Sequence, residues 1–448
     1  MIRRSIFFYS VFFVIVLFVM LFMGTPFTVR LLVEAAAFAL IALGLNVQWG
    51  YGGLFNFGVL GFVMVGGFAV TAMAMPTNPD FWQSDGPWML GRAILTAGAG
   101  ALLIIGAYRL NRLGWPAFIR RTAQVLAWII AYVAFRTQID PAVVYIEREA
   151  GWVGGLDLPV WIGWAFGGLL ASGLGLLVAK VCLGLRQDYL AIATIGIAEI
   201  VRALIKNMEW LTRGTLTVSP VPWPVPTPQL VQEWDVSIPD SFIVARGLYL
   251  LLVLLVLIAA ILVMQRAYRG PWGRMMRAIR DNYVAAEAIG KDVGARQLQL
   301  FVLGSAFIGI GGAILTSFAQ IFDPSAYQPI NHTFLIWVMV IVGGAGNNLG
   351  AVLGGGLIYV IWVVSEPIGQ SLFTGLSELA VQIGWAPIPD INSRSVQMRV
   401  LVMGFVIVLA LRFAPRGLLP ELLQTRMEPS PERGIDREEG NDRGSPRI

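Results

Sequence analysis

Long apolar runs separated by short polar segments form the dominant pattern of this chain. A helix that crosses a membrane needs about 20 mostly apolar residues. Twelve runs come near that length: 5–23, 31–48, 52–75, 89–108, 122–139, 160–184, 189–206, 242–264, 297–318, 334–347, 350–365 and 397–413. We therefore predict an all-α, polytopic transmembrane helix bundle with about 10–12 spans. The runs 334–347 and 350–365 are short and lie on either side of a Gly/Asn turn, which leaves open whether each is a full span.

The positions of arginine and lysine between these runs predict the orientation. Loops on the cytoplasmic side of a membrane protein have an excess of basic residues. With the N-terminus inside, the outer loops hold only four arginines: Arg30, Arg148, Arg213 and Arg394. The inner segment 265–296 is the most basic stretch, with Arg266, Arg269, Arg274, Arg277, Arg280, Lys291 and Arg296. The basic bias therefore places segment 265–296 in the cytoplasm.

Composition supports a membrane protein and disfavours several other classes. The 448 residues are 57% hydrophobic and only 13% charged, whereas soluble domains have about 25% charged residues. The net charge of +5 is explained by cytoplasmic loops, so we predict no nucleic-acid partner. A single cysteine, Cys182, and a single histidine, His332, argue against a disulfide or a His-rich metal site, and we predict no cofactor. The run 5–23 is longer than a signal-peptide core, which favours a retained span.

Segment 265–296 contains a predicted helix with an apolar face. Gly270 and Pro271 break the incoming span, residues 274–288 favour a helix, and Gly290 suits its C-terminal cap. Three apolar residues fall on one face: Met275, Ile279 and Ala286. Such a helix fits a groove on a partner protein, with its arginines setting the register, but it equally fits the surface of an anionic membrane. Spacing alone leaves both interpretations open.

The sequence of this segment resembles that of a known transporter family. The run GPWGRMMRAIRDNYVAAEAIGKD is similar to the coupling loop of ABC importer permeases of the branched-chain amino-acid family. The consensus motif is Glu-Ala-Ala, three residues and Gly; Ala285, Ala286 and Gly290 match it, whereas Val284 takes the Glu position. Three further stretches resemble the same family, most closely its M-type subunit: 34–58, 185–214 and 334–355. The region 76–160 is a poorer match and is interpreted as variable.

The resemblance implies a permease subunit rather than an enzyme. Such a subunit moves branched-chain or related amino acids across the bacterial inner membrane by alternating access. Its implied partners are an H-type permease, two cytoplasmic ATPases and a periplasmic substrate-binding protein. The chain has no G-x-x-x-x-G-K-[ST] motif, so ATP hydrolysis is assigned to the ATPase subunits. Six residues are assigned to the contact with the ATPase: Arg277, Ile279, Arg280, Ala285, Ala286 and Gly290.

Polar residues within the apolar runs are candidates for the translocation path, since polar groups in a membrane tend to face a cavity or one another. They are Glu34, Asn46, Gln48, Asn56, Glu199 and Arg202. Glu199 and Arg202 are three residues apart, and a structural ion pair between them is the preferred interpretation. The glycine-rich run 343–350 is interpreted as a tight turn or a close helix contact rather than a nucleotide site.

Domain boundaries follow from the same pattern. Residues 1–415 form the predicted permease domain, and its proline-rich outer loop, 207–241, suits either a docking surface or a stiff connector. Residues 416–448 are mostly polar and predict a disordered cytoplasmic tail. Two other functions stay open at this point. One is an ion-coupled secondary transporter that uses the charged residues of the spans, and the other is an ABC permease for urea or short amides.

Overall fold

Helices account for almost all of the regular structure of this chain. The computed structural model describes residues 2–109 and 116–421. In that part of the chain the α-helices are, in order, α1 (Ile2–Met23), α2 (Thr25–Leu45), α3 (Val59–Ala74), α4 (Pro79–Trp82), α5 (Gly86–Arg109), α6 (Ala117–Glu149), α7 (Val160–Cys182), α8 (Gln187–Asn207), α9 (Glu209–Thr212), α10 (Pro228–Gln232), α11 (Ile238–Arg269), α12 (Pro271–Asp281), α13 (Tyr283–Ala288), α14 (Val293–Ala319), α15 (Leu335–Gly343), α16 (Asn348–Gln382) and α17 (Ile391–Phe413). Two π-helical segments, Asn46–Tyr51 and Ile330–Phe334, extend α2 and precede α15.

The lengths of these helices confirm the predicted membrane bundle. Within the described residues, nine helices are long and apolar enough to cross a membrane: α1, α2 with its π-helical extension, α5, α6, α7, α11, α14, α16 and α17. α3 and the segment Asn331–Gly343 are apolar but shorter. α8 has the length of a span but contains four charged residues: Asp188, Glu199, Arg202 and Lys206. Each of these helices corresponds to one predicted run.

The predicted span 52–75 is wrong at its start. Residues 53–58 are not helical, and α3 begins only at Val59. Side chains take over the hydrogen bonds that a helix would have made. The Asn56 amide donates to Gln48 Oε1 at 2.8 Å, and Asn56 Oδ1 accepts from the Gly58 N–H at 2.8 Å. A break at membrane depth is tolerated only where such partners exist within the protein.

The two short predictions around the Gly/Asn turn are also corrected. The run 334–347 contains a helix of only nine residues, α15. It ends where Gly344 adopts a φ of +114°, a conformation that glycine adopts without steric cost. The run 350–365 is too short, because α16 continues for 35 residues and includes Pro367. The polar residues and Pro367 after position 365 predicted a loop, but residues 366–382 are helical.

The centre of the bundle is made of helices that approach closely at glycines. α14 packs against α2, α3 and α7. A methyl group on Gly44 of α2 would lie 2.6 Å from the carbonyl oxygen of Gly304 in α14. A methyl group on Gly309 would lie 2.5 Å from the carbonyl oxygen of Gly167 in α7. Small residues at crossings allow the close backbone packing that drives helix association in membranes.

α5 and α6 form a hairpin at the periphery of the bundle. They pack on each other, with Gly100 against Ala131. Only 6% of the apolar span of α5 and 11% of that of α6 are buried inside the chain. At the outer end of the hairpin, Thr77 forms an isolated bridge with Gly154. The region predicted to be variable, 76–160, therefore lies largely beside the core rather than within it.

The first residues of the predicted disordered tail are folded. Residues 416–421 fold against the glycine-rich turn, where the Leu419 N–H donates to the Gly343 carbonyl at 3.0 Å. Leu419 is fully buried and Glu421 is only 4% exposed. The polar composition of the tail concealed this contact. The remainder of the predicted tail, 422–448, lies outside the described residues.

Candidate functional site

Segment 265–296, which the loop charges predict to be cytoplasmic, contains two short helices where one was predicted. The expected helix over 274–288 is divided at Asn282, between α12 and α13. Asn282 has an extended backbone with a φ of −157°, and its side-chain oxygen accepts a hydrogen bond from the Ala285 N–H at 2.9 Å. Asparagine is a favoured N-cap because it satisfies a free N–H of the first helical turn. The helical periodicity is therefore not continuous across Asn282.

The end of α13 is closed by Gly290, as the sequence predicts. Its φ is +76°, which glycine adopts without steric cost. The Lys291 N–H donates to the carbonyl of Ala286 at 3.1 Å, and this bond satisfies a carbonyl that the helix end leaves free. Gly290 thus has a structural role in ending α13.

Two residues assigned to the ATPase contact point into the chain. Ile279 is 2% exposed and Ala286 is 3% exposed, so both fix the segment to the bundle. The large exposed apolar side chains are instead Tyr283 (59%), Val284 (58%) and Ile289 (70%). We call these three residues the exposed α13 patch.

Sequence reasoning missed this patch because it followed the helical face and the family motif. In the motif comparison Val284 is only a departure from the consensus. Ala285 and Gly290 are exposed beside the patch, whereas Arg277 is half-buried. The available signal was the presence of apolar residues in a loop that the charges predict to lie in the cytoplasm, away from lipid.

Arg280, also assigned to the ATPase contact, faces the bundle. Its Nη1 donates to the carbonyl of Gly50 at 2.6 Å and lies 2.9 Å from the carboxylate of Glu421. The Tyr268 hydroxyl donates to the same carboxylate. Burial is the largest single influence and disfavours the charge of Arg280, but Glu421, Tyr268 and Asp281 together outweigh it and raise the pKa of the guanidinium.

Aromatic stacking completes this arrangement. The rings of Tyr51 and Tyr268 stack with centroids 3.8 Å apart, and the Arg277 guanidinium lies 4.6 Å from the centroid of Tyr268. We call the set Gly50, Tyr51, Tyr268, Arg280 and Glu421 the cytoplasmic junction. It joins α12 to the π-helical end of α2, to the end of α11 and to residues 416–421.

The glycine-rich turn is attached to the junction by two asparagines. Asn46 Oδ1 accepts from the Gly346 N–H at 2.8 Å, and the Tyr51 hydroxyl donates to Asn348 Oδ1. Gly344 and Gly346 both have positive φ. This geometry agrees with a tight turn, and Asn46 is fully buried within it.

Gln48 and Asn56, two candidates for the translocation path, are buried at the break before α3. Both are 0% exposed. The Gln48 amide donates to the Phe301 carbonyl at 2.9 Å and to Ser305 Oγ at 3.1 Å. Because their polar groups are hydrogen-bonded within the protein, Gln48 and Asn56 stabilise the helix break and do not line an open path in this structure.

Neighbouring helices also bond to the backbone of the break. Thr194 of α8 accepts from the Phe57 N–H at 3.1 Å. The Trp337 indole of α15 donates to the Asn56 carbonyl at 3.0 Å, and Thr333 accepts from the Leu60 N–H at 3.2 Å. Side chains from distant parts of the sequence thus hold this non-helical stretch.

The charged candidates for the path lie in two other places. Glu199 and Arg202 form the preferred i,i+3 ion pair on α8 at 3.2 Å, with side chains 46% and 24% exposed. They line a cavity of about 470 Å³ together with Lys206 and Glu209. Glu34 on α2 instead pairs with Arg30 at 3.2 Å and accepts from the Tyr359 hydroxyl at 2.6 Å. The structure does not bring Glu34 together with Glu199.

The described part of the chain contains no candidate metal-binding site. No group of three or more His, Cys, Asp or Glu side chains in residues 2–109 and 116–421 could hold a metal ion. Cys182 is buried in α7, and His332 lies in the π-helical segment before α15.

Comparison with known proteins identifies the family. The sequence profile described as branched-chain amino acid transport system / permease component matches residues 27–411. The chain belongs to this permease family. Because the family is a transport component, the protein is not an enzyme. Together with its long apolar helices, the match makes it a multi-pass inner-membrane protein.

Individual relatives confirm the resemblance to the M-type subunit. The high-affinity branched-chain amino acid permease protein LivM of Escherichia coli (strain K12) is 28% identical over 275 residues, which are 59% of this chain and 58% of LivM. The chain thus matches little more than half the length of that relative. A probable branched-chain amino acid transport permease protein LivM of Methanocaldococcus jannaschii is 24% identical over 387 residues, 85% of this chain and 90% of the relative.

A more distant match comes from a sugar transport system. The xylose transport system permease protein XylH of Escherichia coli (strain K12) is 23% identical over 308 residues, 63% of this chain and 64% of XylH. No solved structure matches the chain.

Proposed function

We propose that this chain is a permease subunit of an ATP-driven ABC importer for branched-chain or related amino acids. It would work by alternating access, with an H-type permease, two ATPases and a periplasmic substrate-binding protein. The family match over residues 27–411 supports this proposal, as do the LivM relatives. The xylose permease shows that more distant relatives are named for other substrates.

The exposed α13 patch carries the proposal. Soluble surfaces rarely expose clustered large apolar side chains unless a partner covers them. The patch lies on the predicted cytoplasmic side, where the ATPase of such an importer would bind. We assign docking to Tyr283, Val284 and Ile289, with Ala285 and Gly290 beside them. Ile279, Ala286 and Arg280 would then transmit the movement, since they connect the segment to the bundle.

The outward face of α8 supports a second permease as a partner. Charged side chains are costly when they face lipid. Glu199 is nevertheless 46% exposed in the isolated chain. An H-type permease packed over α8 would shield these charges, and the cavity of about 470 Å³ at Glu199 and Arg202 would open onto the path between the subunits.

The docking role is tested with charged substitutions in the patch. Val284→Asp and Ile289→Asp should each weaken ATPase association by about tenfold or more, because buried apolar anchors at interfaces are worth about 1–2 kcal/mol or more. ATP-dependent leucine uptake into proteoliposomes should fall in parallel, with normal membrane insertion. Leu185→Asp is the matched control, since Leu185 is 44% exposed in the cytoplasmic loop between α7 and α8.

Two results would contradict the proposal. If Val284→Asp and Ile289→Asp retain the ATPase as well as Leu185→Asp does, the patch is not the docking surface. Uptake driven by an ion gradient without ATP or an ATPase would favour a secondary transporter instead.

The α8 interface is tested by cysteine labelling from the periplasmic side. Cys182 is buried and should not react with the label. Ala203→Cys lines the α8 cavity and should react with a membrane-impermeant maleimide, with protection when the H-type permease is bound. Ile130→Cys lies near the middle of the predicted run 122–139 on the peripheral hairpin, is 54% exposed and should face lipid without reacting. Equal labelling of both positions would rule out a water-lined α8 face.

A further inference from the structure

A large cavity lies at the cytoplasmic end of the bundle, apart from both sites above. Its volume is about 1,000 Å³, and it lies between the start of α1, the end of α11 and the glycine-rich turn. None of its lining residues belongs to the exposed α13 patch or to the α8 cavity. Neither docking nor the path along α8 accounts for it.

The walls of this cavity combine apolar surface with positive charge. Ile6 and Leu349 supply aliphatic wall, and three arginines contribute charge: Arg3, Arg269 and Arg277. Glu421 is the acidic residue of the lining. Its carboxylate is already paired with Arg280 at 2.9 Å, so the cavity keeps a positive balance. An occupant should therefore have an anionic part and an apolar part.

The position of the cavity decides what kind of molecule can reach it. Arg3 lies at the cytoplasmic start of α1, and Arg269 is the last residue of α11. Only 6% of the apolar span of α1 is buried inside the chain, so this wall borders the bilayer. The opening thus lies at the level of the lipid headgroups of the inner leaflet. Basic pockets between membrane helices on the cytoplasmic side suit anionic headgroups.

We propose that this cavity binds an anionic phospholipid of the cytoplasmic leaflet. Its phosphate lies near Arg3 and Arg269, and its acyl chains follow Ile6 and Leu349 out to the bilayer. The volume of about 1,000 Å³ is at the upper end of the range of about 300–1,000 Å³ for small-molecule sites. A headgroup with the upper part of its chains fits such a space better than a small anion.

The lipid site shares a wall with the cytoplasmic junction. Tyr268 lines the cavity and also donates to Glu421 and stacks on Tyr51. Arg277 lines it as well and lies over the Tyr268 ring. A bound lipid therefore contacts the residues that attach α12 to the bundle, and it stabilises the segment in this position.

Native mass spectrometry of the full-length chain, purified in mild detergent, tests the proposal. The protein is equilibrated with phosphatidylglycerol or phosphatidylcholine. The variant Arg3→Gln/Arg269→Gln removes two charges from the cavity. Arg266→Gln/Arg274→Gln is the control, because it removes two exposed charges from the same cytoplasmic surface outside the cavity. Arg4 remains in both, so orientation in the membrane is preserved.

We expect phosphatidylglycerol to bind the wild type and Arg266→Gln/Arg274→Gln equally. It should bind Arg3→Gln/Arg269→Gln roughly thirtyfold more weakly. Phosphatidylcholine should bind all three weakly. Equal losses in the two variants would indicate diffuse surface attraction and overturn the proposal. Displacement of the lipid by millimolar inorganic phosphate or glycerol phosphate would overturn the assignment to a lipid.

A second pair of variants keeps the test valid if the arginine variants fold poorly. Ile6→Trp fills the apolar wall and leaves every charge in place, whereas Phe7→Trp alters the neighbouring residue, which is 61% exposed and does not line the cavity. Ile6→Trp should lower phosphatidylglycerol retention at least fivefold relative to Phe7→Trp. Equal retention in these two variants would also contradict the proposal.

Discussion

Arg280 has two acidic neighbours in contrasting environments, which allows a direct test of the cytoplasmic junction. Glu421 lies 2.9 Å from Arg280 Nη1 and its side chain is 4% exposed. Asp281 lies 3.2 Å from Arg280 Nε and is 66% exposed. The substitutions Glu421→Gln and Asp281→Asn each remove one negative charge with little change of shape. The same arginine thus serves both measurements.

The expected magnitudes differ because of burial. Two charges 2.9 Å apart attract by about 6 kcal/mol at an effective dielectric constant near 20, and desolvation offsets a large part of this. Removing one partner of a buried pair costs about 3–5 kcal/mol, and the 18% exposure of the Arg280 side chain favours the lower end. We expect Glu421→Gln to lower the free energy of unfolding by about 3 kcal/mol. For the exposed pair with Asp281 we expect about 0.5 kcal/mol or less.

Unfolding by SDS in mixed micelles provides the assay, with helical content followed by circular dichroism. The double variant Arg280→Gln/Glu421→Gln completes a cycle in which the two residues should show a coupling energy of about 2 kcal/mol. Losses for Glu421→Gln and Asp281→Asn that agree within about 0.5 kcal/mol, with no coupling to Arg280, would refute the buried pair.

Three further perturbations follow from the described contacts. Gln48→Leu removes hydrogen bonds to Phe301, Ser305 and Asn56 and should lower the free energy of unfolding by about 3 kcal/mol in the same assay. Gly309→Val should disrupt the crossing with α7 and cost about 3 kcal/mol or more, whereas Gly173→Val, with open space around its Cβ, should cost less than about 1 kcal/mol; equal effects would contradict the crossing. A chain that ends at residue 415 should resist trypsin less well than one that ends at 421, because only the longer chain keeps the bonds to the glycine-rich turn.

The sequence predicts the bundle well because a span is a local property. About 20 apolar residues suffice to specify a helix such as α11 or α14, whatever surrounds it. The break before α3 could not be predicted in this way, since residues 53–58 are as apolar as their neighbours. The break depends on Gln48, whose partner Phe301 is 253 positions away.

The candidate site was predicted less completely, because it too depends on contacts between residues that are far apart in the sequence. The sequence anticipates the cap at Gly290, and the cytoplasmic location of segment 265–296 stays a prediction from the loop charges. It assumes one continuous helix, however, and the N-cap at Asn282 invalidates the faces derived from it. Arg280 therefore appeared to face a partner, although the buried carboxylate of Glu421 holds it inward. Nothing local marks Glu421 as buried, because its sequence context is that of a polar tail.

The interruption before α3 determines how the surrounding helices can move. Backbone groups of the break and of the first turn of α3 are bonded to side chains of α8 and of the helical stretch 330–343, through Thr194, Thr333 and Trp337. In an apolar interior each unsatisfied group costs about 1–3 kcal/mol, so a small sliding of α8 or α15 would leave several groups without partners at once. Arrangements of the helices in which every one of these backbone groups has a hydrogen-bond partner are therefore separated by a free-energy barrier. This favours passage between discrete positions over continuous sliding, and it ties α8 and α15 to the same step.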